Sequence, residues 1–231
     1  MPKLQQLHDD LWVAQAPHRF MGLALGARMA VVRLADGGLL VYSPVRLDDR
    51  LRGEVEDLGP VRFIVAPNLY HHMYMGDWIE AFGDATVAGA VGLARKRPDL
   101  RIDLELDDPS TAPWAEELPG LPIRGMMLRE TVLLHAPSRT VISSDLTENF
   151  QTCSHWGTRQ MLKLSGIYGR AGLSLILKMA ITDKQALRDS VEQVLRWDFD
   201  RVVLAHGSII EHDGPQALRD SYARYGVGSE A

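Results

Sequence analysis

The chain has one cysteine, Cys153, in 231 residues. A lone thiol excludes an intramolecular disulfide framework and fits a reducing compartment. Long apolar runs are also missing: none approaches the ~20 residues that a membrane-spanning helix requires. The first ten residues, Met-Pro-Lys-Leu-Gln-Gln-Leu-His-Asp-Asp, are polar and acidic and contain no apolar core of a signal peptide. A strong excess of one sign of charge is lacking too. The formal net charge is -5 and the arginines are scattered, so no basic face is concentrated enough for nucleic-acid phosphates. No phosphate-cradling glycine loop, Gly-x-Ser-x-Gly elbow or dinucleotide fingerprint is found. These absences point to a soluble, cytoplasmic protein with neither membrane nor nucleic acid as partner.

At 46% hydrophobic, the chain is long enough to bury a substantial core, as one large domain or two small ones. Leu11 to Ala14 is a short strand. Met29 to Leu34 and Leu39 to Tyr42 flank Ala-Asp-Gly-Gly, which predicts a hairpin. Leu47, Leu51, Val55 and Leu58 share a helical face, and Gly59-Pro60 ends that helix. Val61 to Ala66 is an apolar strand. Beyond its Pro-Asn turn, His72 to Phe82 reads as a helix with Ile79 and Phe82 turned inward. A short strand at Thr86 to Ala88 and a helix from Val91 to Arg97 follow.

The acidic, proline-spiked stretch from Asp99 to Pro122 reads as an ordered connection, after which the pattern returns. Glu130 to His135 and Thr140 to Ser143 form a second hairpin. Residues 156–180 are helical, interrupted by Gly166, Gly169 and Gly172. Thr182-Asp-Lys-Gln185 predicts a capping box before an amphipathic helix. Arg201 to Ala205 is a buried-type strand, and Gly214-Pro215 starts a last helix through Tyr222. The two halves, about 1–110 and 120–231, therefore echo each other. Neither half covers both faces of its own sheet, so packing the sheets face to face with helices outside predicts one α/β/β/α sandwich domain.

The chemistry-bearing residues fall at strand ends: His71 and His72 after 61–66, Asp145 after 140–143, and His206 after 201–205. This order resembles the metallo-β-lactamase-fold superfamily, whose first motif, His-x-His-x-Asp-His, follows such a strand. One register puts Pro67 and Leu69 at the first two His, His71 at the Asp and His72 at the final His. Shifting by one residue puts Asn68, Tyr70 and His72 at the first His, second His and Asp, with Met73 last. The first register keeps a ligand at the motif's end and is preferred. There is no His between His72 and His135, so the family's third His is absent.

The resemblance then implies that one metal site is lost and the second survives as His71, His72, Asp145 and His206. That set suits one divalent cation, zinc or iron. It implies a metal-dependent hydrolase of an unknown small-molecule substrate, with His71 as ligand or base and Asn68 or Tyr70 polarising the substrate. The other reading is a non-catalytic relative that binds no metal and serves as a binding or scaffold module. Each residue also has an ordinary structural use: a helix-start pair for the two His, a turn or cap for Asp145, a buried His for His206. Cys153 and His155 could approach the same crevice, while His8 and His18 look peripheral. Trp156 and Tyr168 permit a homodimer.

Overall fold

A computed structural model describes residues 2–228. The first sheet has seven strands in chain order: β1 (Leu4–His8), β2 (Leu11–Ala16), β3 (Ala27–Arg33), β4 (Leu39–Tyr42), β5 (Val61–Ala66), β6 (Thr86–Gly89) and β7 (Leu104–Glu105). The first four pair antiparallel, and β4 through β7 pair parallel. Parallel neighbours need crossovers. Three helices supply them: α1 (Asp49–Glu56), α2 (Met75–Ala81) and α3 (Leu93–Lys96). The second sheet runs β8 (Gly120–Pro122), β9 (Thr131–His135), β10 (Thr140–Ile142) and β11 (Arg201–Val203), with only the last pair parallel. Between β10 and β11 lie α4 (Trp156–Ser165), α5 (Leu175–Met179) and α6 (Lys184–Val194), and α7 (Gly214–Tyr222) follows β11.

The period-two alternation of strand side chains builds the layers. In β4, Leu40 and Tyr42 face a core that also takes Phe63 and Val65 of β5, Leu133 of β9, Ile142 of β10 and Val203 of β11. Residues from both sheets share that cluster, so the sheets pack face to face. The alternate residues Leu39, Val41 and Ile64 join Leu51 and Val55 of α1 and Trp78 of α2 in a second core. On the other side, Val132, Val141 and Val202 join Leu187 and Val191 of α6 and Leu218 of α7. This is the expected α/β/β/α sandwich. Strands buried on both faces read as unbroken apolar runs, and each fully buried Val or Leu contributes roughly 1.5–3 kcal/mol.

Several details depart from expectation. The helix after β5 begins at Met75, because His72 to Tyr74 form a turn in which Met75 N–H donates to the His72 carbonyl. Met75 and Trp78 take its buried positions, the indole N–H donating to the Val45 carbonyl, and Ile79 and Phe82 are only half-buried. Gly166, at φ 76°, ends α4, and Ala171–Gly172 then pairs as a strand with Glu148–Asn149 before α5. Helix α6 is capped by Asp183 rather than Thr182: the Asp183 carboxylate accepts from Gln185 and Ala186 N–H, and Thr182 N–H is spent on the Gly125 carbonyl.

His135, on β9, is buried against the edge of the His8 ring with its Nδ1 on Ser138 Oγ, and the charge of Asp10 acts on it in the opposite sense to burial. Burial, and secondarily His8, lower its pKa to about 4. A His depressed in the fold binds its proton more readily when unfolded. Its contribution is therefore complete above pH 6.5 and is lost as pH falls from there through about 4. Allowing for solvent screening, the loss expected is roughly 1–2 kcal/mol. Urea midpoints at pH 7 and pH 4.5 should fall further for the wild type than for His135→Asn; equal falls would contradict this.

Candidate metal centre

Four strand ends meet at one rim of the sandwich, the place where open α/β sheets hold ligands. The chain leaving β4 passes Ser43, and the turn after β5 carries Asn68 to His72. Asp145 lies past β10, and His206 past β11. His71, Asp145 and His206 converge there, with their candidate ligand atoms all within 4.8 Å of one another. His71 Nε2 lies 3.3 Å from Asp145 Oδ2, and His206 Nε2 lies 3.3 Å from Asp145 Oδ1.

The other ring nitrogens fix both imidazoles. His71 Nδ1 meets Ser43 Oγ at 2.7 Å, and His206 Nδ1 meets the Gly26 carbonyl at 2.8 Å. A carbonyl only accepts, so Nδ1 of His206 carries the proton and Nε2 is the nitrogen turned to Asp145. A neutral His206 would point a lone pair at a carboxylate oxygen, an arrangement that calls for a cation or a proton between them. This outer-shell pattern orients metal-ligating histidines in general. Two imidazole nitrogens and a carboxylate match a three-ligand zinc site with an open position, and equally the two-His-one-carboxylate set of iron. The donor set fits one divalent cation.

Burial works against the charge on Asp145, but His71 and His206 outweigh it and hold the carboxyl well below its ordinary value. For His206, burial lowers the pKa, and the hydrogen bond and charge of Asp145 reverse this and raise it. Glu130, at the foot of β9, is also buried. Its Oε1 accepts from Ser144 N–H at 2.6 Å and its Oε2 from Asp145 N–H at 2.8 Å. Burial and the neighbouring Asp145 raise its pKa to about 7, against the pull of those two donors. Arg28, buried on β3, donates to the Leu204 and Gly207 carbonyls on either side of His206. Burial lowers its pKa to about 10. Gly207, at φ 87°, lies so close to the Asn149 carbonyl oxygen that a Cβ would stand 2.2 Å from it. Only glycine fits there.

Two of the expected roles do not fit this geometry. His72 does not join the cluster: the turn sends its ring toward Arg97, whose guanidinium Nη1 lies 2.9 Å from His72 Nδ1. Burial, then Lys96 and Arg97, lower its pKa to about 4, so it is neutral. Asn68 cannot reach a substrate. It is fully buried, its amide donates to Asp145 Oδ2 at 2.8 Å and Ser144 Oγ at 2.9 Å, and its oxygen accepts from Tyr70 and His71 N–H. It shapes the turn that aims His71. Tyr70 lies at the mouth of the site, 42% exposed, with Lys96 Nζ 4.4 Å from its ring centroid.

The cluster opens into a cavity of about 530 Å³. His18, which looked peripheral, lines it, with Nδ1 3.0 Å from Tyr74 Oη. Burial, then His206 and His71, lower the His18 pKa. Cys153 and His155 line a neighbouring cleft that shares His18, Arg19 and Leu25 with the cavity, and His155 caps α4 through Thr158 N–H. Glu130 and Arg28 were missed because their work is done on backbone groups; an acid just before a fully buried strand was the one available signal for Glu130.

A family model described as a domain of unknown function, DUF4336, matches residues 8–154. That span holds His71 and Asp145, and His206 lies beyond it. No curated protein matches the chain. Among solved structures, a metallo-beta-lactamase from Pontibacter korlensis superposes with a TM-score of 0.68 at 10% identity, covering 96% of this chain and 99% of that one. One from Hirschia baltica gives 0.65 at 11%, covering 97% of each. The metallo-beta-lactamase FIM-1 from Pseudomonas aeruginosa, in a mono-zinc form, gives 0.66 at 11%, covering 98% of this chain and 96% of that one. Identities this low establish the metallo-β-lactamase fold and leave the activity to be argued from the site.

Proposed function

The chain belongs to the DUF4336 family and has the metallo-β-lactamase fold, and from that premise we propose that it is a metal-dependent hydrolase with a single-cation centre. The observation that carries the reading is the convergence of His71, Asp145 and His206 within 4.8 Å at the floor of a cavity. In the register that sets Pro67 and Leu69 at the family's first two His, those positions offer no ligand atom. One cation is therefore proposed, held by His71, Asp145 and His206, and zinc and iron both suit the donors.

When bound there, such a cation polarises a carbonyl or phosphoryl oxygen and acidifies water. The chain's own groups do the rest. Ser43 and the Gly26 carbonyl hold the two imidazoles in place, and Asp145 stays anionic under their influence. His18, whose pKa burial and the nearby imidazoles lower, stands on the cavity wall outside the cluster and is assigned as the base. In the tautomer whose Nδ1–H donates to Tyr74 Oη, Nε2 is left to take a proton.

The test uses protein stripped of metal and reloaded with zinc or iron, assayed on a panel of carboxylic and phosphate esters. Turnover should require the metal, and His18→Gln should keep the metal while losing about 10²-fold or more in kcat. Turnover that is equal with and without metal would overturn the reading. Failure to retain metal together with no turnover on any ester would favour the non-catalytic binding module instead.

A further inference from the structure

The walls above the cluster are unusual for a free surface. Nine large apolar side chains are exposed among the described residues, and five of them, Met21, Tyr70, Met73, Met127 and Met179, line this one cavity. Met21 is 82% and Met179 72% exposed. Exposed apolar area concentrated in one concavity marks a binding site rather than scatter. Methionine is flexible and polarisable, and suits a ligand of variable apolar shape.

A groove of about 340 Å³ adjoins the cavity, the two sharing Lys96 and Met127. Arg95 and Arg129 complete its charged lining. The chain carries 30 acidic residues against 25 lysines and arginines, yet among the described residues none of these three cations has a carboxylate within 4.0 Å. Lys96 donates to the Leu69 carbonyl and Arg129 to the Val91 carbonyl, while among the described residues the Arg95 side chain has no hydrogen-bond partner. Glu105, at the same end of the molecule, accepts from Gly92 N–H instead of pairing with them. Arg129 is held at φ 55°, a conformation unusual for a residue with a side chain. An apolar cavity thus runs into a groove of unneutralised positive charge.

We propose that the ligand of this site is an amphipathic anion: an apolar chain against the methionines, with a carboxylate or phosphate held by Arg95, Lys96 and Arg129. It rests on the hydrolase reading only in making that ligand the substrate or product. The bond to be cleaved would then join the apolar chain to the rest of the molecule over His71, Asp145 and His206.

The experiment measures binding to the metal-free full chain, so it does not depend on turnover. Calorimetric titrations with decanoate, decyl phosphate, decanol and acetate separate charge from chain. At least one ten-carbon anion should bind roughly 10- to 100-fold tighter than decanol, the range of one to two charge-assisted hydrogen bonds. Acetate should not bind measurably. Which of the two anions binds tighter identifies the headgroup. Arg95→Ala/Arg129→Ala, two exposed positions, should erase the advantage over decanol and leave decanol binding unchanged, and Met127→Asp should weaken all three long chains. Equal affinity for anion and alcohol, or an anion advantage that survives the double substitution, would overturn the proposal. So would failure of every long-chain probe to bind. Charge-selective binding without metal-dependent turnover would sink the hydrolase reading alone.

Discussion

Asp145→Asn should abolish cation binding while leaving the protein folded. Asparagine keeps the shape of the carboxylate, and an amide oxygen can still face one of the two imidazoles. What it loses is the negative charge that both His71 and His206 meet at 3.3 Å. Loss of an outer-shell partner typically costs a metal site 10- to 100-fold in affinity. Removing a charged donor shared by the whole set should cost more, beyond about 100-fold. A titration with a zinc-competing chelator reads this directly, and an affinity within tenfold of wild type would contradict it. The chain should stay folded because Asn68 and the backbone N–H of residue 145, which Glu130 accepts, keep their partners.

Glu130→Ala should have the largest effect on stability. The carboxylate is buried, and its two oxygens are the acceptors for the Ser144 and Asp145 N–H groups. Alanine leaves both donors buried without partners and opens a cavity behind them. Each orphaned buried donor costs about 1–3 kcal/mol, so a loss of roughly 3–5 kcal/mol is expected once the cavity is included. Glu130→Gln keeps one acceptor oxygen and should lose about half as much. Urea unfolding of the two variants tests this. An alanine variant within about 1 kcal/mol of wild type would show that water or backbone movement satisfies the 144–145 turn.

The fold was legible because β3, β4, β5, β9 and β10 are buried on both faces and so appear as short apolar runs between Gly, Pro and Asp. The strand Leu4–His8 was not, since Leu-Gln-Gln-Leu-His is mostly polar and half-exposed. The two-stranded pieces around Phe20 and Gly172 depend on contacts distant in sequence. At the site, Asp145 and His206 could be read because each immediately follows a buried strand. The choice between His71 and His72 could not. Both are imidazoles one residue apart in a turn, and they are separated by the Asn68 amide, which accepts from His71 N–H, and by Arg97, which lies 25 positions along the chain and takes up His72. Family alignment favoured His72 as the motif's last ligand, whereas the turn geometry favours His71. His18 had no sequence signal, because it reaches the cavity only through the packing of the Arg19–Phe20 and Leu23–Ala24 strands.

That choice offers the most direct test of the whole account. Metal content per chain should be measured for untagged wild type, His71→Ala and His72→Ala, each saturated with zinc and then passed through a desalting column. The account predicts one ion per chain in the wild type and in His72→Ala, and essentially none in His71→Ala. Retention of the ion by His71→Ala, or its loss from His72→Ala with His71 intact, would contradict it.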